Sequence, residues 1–237
     1  MTNDKNLQPP KPGGGDIAHT VVKAGLSAIP IVGGPAAELF SALLAPPLAK
    51  RRDNWVRSIA EGLEELEEKV SGFTVDSLRE NEAFVTAVMH ASQAAVRNHH
   101  QEKLEALRNA VLNVASGNAP DEDLQLMFLN FIDTLTPWHL RILRFLQGPA
   151  AYRAAKGMTS TNQAVGSPAR VIEHTFPELR GQRAFYDQIV SDLFSRGLMN
   201  SEPSGLHAMM TASGVLAKRT TPMGDAFLAF VSSPHAG

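Results

Sequence analysis

The chain has no cysteine, which removes disulfides, thiolate metal sites and cysteine nucleophiles together and fits a reducing cytoplasm. It has no strong charge of either sign: the formal net charge is -2, so the protein as a whole is no general polyanion binder. Residues Met1 to Asp16 lack the basic start and unbroken apolar core of a secretory signal; they are polar and rich in Pro and Gly. None of the eight histidines stands in an HExxH pattern, so no metal site is expected. No G-x-S-x-G is present, and Gly25-Leu26-Ser27-Ala28 sits in an apolar run rather than at a nucleophile turn. Gly33-Gly34 and Gly13-Gly14-Gly15 lack the following G-K-[ST] of a phosphate-binding loop. These absences predict a protein without enzymatic activity and without a cofactor.

The chain does have an almost wholly apolar stretch from Ala24 to Ala49, which carries one charge, Glu38, and is followed at once by Lys50-Arg51-Arg52. Pro30, Gly33-Gly34-Pro35 and Pro46-Pro47 cut it into pieces too short to cross a bilayer singly as straight helices. Gly33-Gly34-Pro35 reads as a tight turn between a helix at Ile17 to Ala28 and a second at Pro35 to Ala45, which Pro46-Pro47 stops. The result is an apolar hairpin. In the resting soluble form it is expected to be buried in a helical bundle, and two readings of its role stand: permanent core, or a segment released to a membrane or partner. The residues that would make that contact are Ile29, Ile31, Val32, Leu39, Phe40, Leu43, Leu44, Lys50, Arg51 and Arg52. The three cations would tend to stay on the cytoplasmic side.

The rest of the first half is helical. Trp55, Ile59, Leu63, Leu66 and Val70 form one stripe of a helix over Asp53 to Val70, with Glu61, Glu64, Glu65, Glu67 and Glu68 opposite. The glutamate pairs read as a solvated face. Apolar positions from Leu78 to Ala95 and from Leu104 to Val114 keep a helical period, with Asn98-His99-His100 marking a turn if the two are a hairpin rather than one helix. The organisation is therefore a disordered tail over 1–15, a helical bundle over 16–117 containing the hairpin at 24–49, and a second part over 121–237.

The second part opens helices with Thr136-Pro137, Ser167-Pro168 and Thr221-Pro222, each a cap followed by Pro at the first helical position. A helix over Gln182 to Arg196, with Phe185, Ile189, Val190, Leu193 and Phe194 as its core stripe, is stopped by Gly197. Leu198-Met199-Asn200 reads as a short strand, Glu202 to Gly205 as a turn and Val215 to Ala217 as a return strand. This order resembles a winged helix. The overall expectation is a mainly α fold: an N-terminal helical bundle plus a C-terminal winged-helix-like domain with a small β-wing. As a DNA reader, such a domain would use Arg183, Gln188, Ser191, Arg196, Lys218 and Arg219, but Asp187 and Asp192 on the same helix oppose phosphate. A protein-docking role is the favoured reading.

Three stretches, Ile29-Pro30-Ile31-Val32-Gly33-Gly34, Leu135-Thr136-Pro137 and Thr221-Pro222-Met223-Gly224-Asp225-Ala226-Phe227, resemble the abortive-infection alpha family of bacterial proteins. The resemblance implies a non-enzymatic protein associated with phage defence and brings no catalytic residue. The combined expectation is a cytoplasmic protein, peripheral to the inner membrane when engaged, that acts by association with a membrane, a protein partner or a second copy of itself. A DNA-binding regulator is the alternative.

Overall fold

A computed structural model describes residues 35–158 and 165–234, with side chains from 42 onward and excepting that of 165. The chain is mainly helical and divides into two compact units between Glu122 and Asp123.

In the first unit, α1 spans Pro35–Lys69, a short 3-10 turn Val75–Glu80 follows, and α2 (Glu82–Arg97) and α3 (Gln101–Ala115) complete the bundle. Four of the five stripe residues are where their spacing places them, while Val70 lies just past the end of α1 and is half-buried. Trp55, Ile59, Leu63 and Leu66 are buried, while Glu61, Glu64, Glu65, Glu67 and Glu68 are exposed. Asn98 to His100 breaks the next stretch into two helices. Arg51 meets Val96 and Trp55 meets Ser92, so α2 runs antiparallel to α1; Ser58 meets Arg108, and α3 runs back alongside α1. The Trp55 indole N–H donates to the Ser92 hydroxyl at 2.9 Å, a buried polar pair that locks the ring. Small residues (Ala87, Ala91, Ala94, Ala95, Ala106 and Ala110) are buried on α2 and α3.

One sequence expectation fails here. Pro46 and Pro47 lie inside α1, which runs unbroken for 35 residues. Proline removes the N–H that would serve the carbonyl four residues earlier. Those carbonyls belong to Ala42 and Leu43, both exposed, where water can take the donor's place. The proline pair therefore does not terminate the element.

The second unit holds α4 (Glu122–Thr134), α5 (Pro137–Gln147), α6 (Pro149–Ala155), α7 (Pro168–Thr175), α8 (Arg183–Ser195), the single turns α9 (Pro203–Leu206) and α10 (Ala212–Val215), and α11 (Pro222–Phe230). Strands β1 (Val165–Gly166) and β2 (Met210–Thr211) pair antiparallel, and Met199 bridges Thr220. Two aromatic clusters form the core. Phe128 and Phe131 of α4 pack against Phe227 of α11 with ring centroids 5.3 and 6.0 Å apart. Phe145, Tyr152 and Phe176 join α5, α6 and the end of α7.

The caps read from sequence open their helices: the Ser167 hydroxyl accepts from Arg170 N, and the Thr221 hydroxyl from Gly224 N. Two other readings are corrected. Val215 ends a helical turn rather than forming a return strand, and the chain that faces Met199 is Thr220. On α8 the buried face carries Tyr186, Ile189, Val190 and Leu193; Phe185 and Phe194 are exposed. Tyr186 takes the inward place because its hydroxyl has a carboxylate to meet, Glu173 at 2.9 Å.

Candidate functional site

The apolar end of α1 is the first candidate. Ala42 to Pro47 are exposed along their whole length, with Leu43 at 67% and Leu44 at 40%. The expectation that these two leucines lie in the core is corrected: both are exposed, and among the described residues α1 meets α2 at Arg51. The basic stop is also divided. Lys50 is exposed, Arg52 pairs with its neighbour Asp53 at 3.3 Å, and Arg51 turns inward to donate to the Val96 carbonyl at 3.3 Å. Leu39 and Phe40 belong to α1, but their side chains, like Ile29, Ile31 and Val32 entire, lie outside the described residues. Among the described residues, no helix is long and apolar enough to cross a membrane.

The second candidate is the outer face of α8. Arg183 is exposed but pairs with Asp187 at 3.3 Å, and Asp187 also faces His207 Nε2 at 2.8 Å. The Gln188 amide donates to Asp192 at 2.7 Å, and Ser191 is half-buried. Arg196 lies over the Phe131 ring at 5.0 Å, and Lys218 pairs with Asp225. Burial works to raise the Asp225 pKa, but donors from Lys218, Thr220 and Gln147 outweigh it and hold the carboxyl below its ordinary value. Arg219 is 7% exposed and donates to the Gly214 carbonyl at 2.7 Å; burial lowers its pKa. Its place as a nucleic-acid contact is therefore corrected to an internal one. The six residues share one unit, yet acids and carbonyls of that unit occupy most of their charge.

A third arrangement surrounds His139, behind the Thr136 cap. The Thr136 hydroxyl is 2.8 Å from His139 Nδ1, and His139 Nε2 is 3.2 Å from Asp192. The order hydroxyl, imidazole, carboxylate is that of a nucleophile with its base. The backbone decides against it. Thr136 N donates to the same Nδ1 at 3.1 Å, so the one lone pair that would take the hydroxyl proton is already engaged. Thr136 and His139 form a helix cap, with histidine in the place where glutamate or glutamine usually reaches back, and Asp192 meets the other ring nitrogen. The cap's pattern, Thr136 followed three residues on by a side chain with an acceptor, was the readable signal.

The fourth feature is a cavity of about 360 Å³ in the first unit, lined by α1, the end of α2 and the start of α3. Arg51 and Arg108 line it from different helices, with Trp55, Asn54 and Asn98. Arg51, Trp55 and Asn98 had sequence readings for other reasons; residues some 50 positions apart show no local motif. Among the described residues, no cluster of three His, Asp or Glu side chains could hold a metal ion.

Compared with protein-family models, characterised proteins and solved structures, the chain has no significant match.

Proposed function

We propose that the protein acts by association, with the apolar end of α1 lying in a membrane interface as its docking element. The observation that carries this is the exposure of Leu43 and Leu44 on a helix that continues into Lys50 and Arg52. An exposed leucine pair beside cations suits the boundary between acyl chains and anionic headgroups. The apolar part of α1, Ala36 to Ala49, is about 21 Å long at ~1.5 Å per residue, short of the ~30 Å hydrocarbon core, so the mode is interfacial.

In this reading the second unit is the sensing or docking module, a winged-helix-like domain built on α5, α7 and α8. The order of those helices, the Met199–Thr220 bridge after α8 and the closing α11 support it. The internal pairing of Arg183, Gln188 and Lys218 favours a protein partner over duplex DNA. The resemblance to the abortive-infection alpha family adds a role in phage defence, at the inner face of the membrane.

The test is sedimentation with anionic vesicles, comparing the full chain with a Leu43→Asp/Leu44→Asp variant. Both leucines are exposed, so the variant should fold normally and lose vesicle binding. A folded, monodisperse full chain that leaves the vesicles in the supernatant would end the proposal. A change in oligomeric state without vesicle binding would reassign the leucines to self-association.

A further inference from the structure

We infer that the cavity between α1 and the α2–α3 connection binds a small organic phosphate with a flat nitrogenous ring, a mononucleotide-sized ligand. This site is separate from Leu43 and Leu44 and does not depend on the membrane reading. Its volume, about 360 Å³, falls in the range of small-molecule pockets.

Three sets of groups converge on it. Arg51 and Arg108 supply two guanidiniums. Each uses one nitrogen to grip a carbonyl of the bundle: Arg51 Nη1 holds Val96 O at 3.3 Å and Arg108 Nε holds Ser58 O at 2.9 Å. Those bonds orient the forks rather than consume them, since each guanidinium has five donors. The nearest carboxylate to Arg108 outside the cavity, Glu65, is 3.9 Å away, a loose pairing. The second set is an apolar wall of Trp55, Ala95 and Leu104, with the Trp55 ring fixed by its bond to Ser92. The third is a set of amides at the mouth. Asn98 and Gln101 each place an N–H, on Ala94 O and on Glu105, at 2.8 and 3.2 Å, and these bonds orient their amides. Cations for phosphate, an apolar wall for a ring and oriented amides for its edge are the parts that a nucleotide requires.

Glu105 is the one carboxylate lining the cavity, beside two arginines. It repels an anion from the mouth, and it makes the inference testable in both directions. The probe is AMP, read by Trp55 fluorescence in a Trp138→Phe protein, where Trp55 is the sole tryptophan. AMP should give a saturable change, and adenosine and inorganic phosphate should each bind at least ~10-fold more weakly, as each lacks one half of the recognition. Arg51→Gln and Arg108→Gln should each weaken AMP about 10-fold through loss of a charge-assisted bond. Glu105→Gln should tighten AMP about threefold by removing the one carboxylate that lines the cavity. Misfolding cannot produce that gain. No saturable change with millimolar AMP, or a Glu105→Gln protein that binds no better, overturns the inference. Equal binding of adenosine refutes the phosphate role of the arginines, and equal binding of inorganic phosphate refutes the ring. Binding to phosphatidate vesicles that needs Arg51 and Arg108, without AMP binding, would replace the free nucleotide by a lipid headgroup.

Discussion

Replacing Gly224 by alanine should destabilise the second unit, although alanine is the better helix former by about 1 kcal/mol. Gly224 is buried in the first turn of α11, two residues after Pro222. A Cβ there would stand 2.1 Å from the backbone oxygen of Leu198 and 3.1 Å from its carbonyl carbon. An ordinary C···O approach is ~3.3 Å or more, so α11 and the Leu198 backbone would have to separate by about 1 Å. That separation strains the bonds that join them: Thr221 N to Leu198 O at 3.2 Å, and the Thr221 hydroxyl to Gly197 O at 2.6 Å. It also draws Phe227 away from Phe128. Overpacking of about 1–3 kcal/mol and two weakened hydrogen bonds of about 1 kcal/mol each exceed the propensity gain, leaving a net loss of roughly 2–4 kcal/mol. Urea unfolding followed by Trp138 fluorescence in a Trp55→Phe background would register this as a midpoint about 1–2 M lower. Gly205→Ala is the control, because no atom lies within 4 Å of its added Cβ. It should stay within ~0.5 kcal/mol of the parent. A Gly224→Ala protein as stable as the control would refute the steric argument.

Ser92→Ala should cost about 1–3 kcal/mol, read by thermal melting, because the buried Trp55 N–H loses its acceptor. Tyr186 is pushed above its ordinary pKa first by burial and then by its bond to Glu173. A raised value means the fold prefers the neutral phenol, so this stabilisation is complete below pH ~10 and declines as pH rises beyond it. Tyr186→Phe should therefore cost about 1 kcal/mol at neutral pH, and its deficit against the parent should shrink in alkaline melts. The Asp225 carboxyl has the opposite sign: held below its ordinary value, it stabilises the fold above pH ~4 and ceases to do so as pH falls through its folded value. Asp225→Asn should cost about 1 kcal/mol at pH 7, and its denaturation midpoint should converge with the parent's in acid.

What could be read in advance was local. Thr136-Pro137, Ser167-Pro168 and Thr221-Pro222 begin helices because cap chemistry and the fixed φ of proline act within three residues. The stripe from Trp55 to Leu66 was legible because a helical period is a property of one segment. The misses depend on distant partners. Tyr186 goes inward and Phe185 outward because Glu173 lies on another helix. Arg219 has a basic side chain like any surface arginine; only the approach of Gly214 and Met210 takes it inside. The cavity was invisible because Arg51 and Arg108 line it from different helices.

The motif Thr221-Pro222-Met223-Gly224 now has a physical account that needs no partner. Threonine caps α11 and ties it to Gly197 O, proline starts the helix, and glycine lets the helix rest on the Leu198 carbonyl. Gly197 itself adopts a positive φ of 71°, which closes α8 and turns the chain toward that carbonyl. Arg196-Gly197-Leu198-Met199 and Thr221 to Gly224 are thus two halves of one packing joint, and their recurrence in other chains would report a shared joint rather than a shared ligand. The end of α1 is the reverse case. Pro46 and Pro47 oppose helix propensity, and Leu43 and Leu44 forgo burial, and among the described residues of the first unit no packing offsets either cost. Where local preference and burial fail together in an otherwise consistent chain, the compensation is sought outside the described packing. That is why the search for a partner belongs at α1 before it belongs at α8.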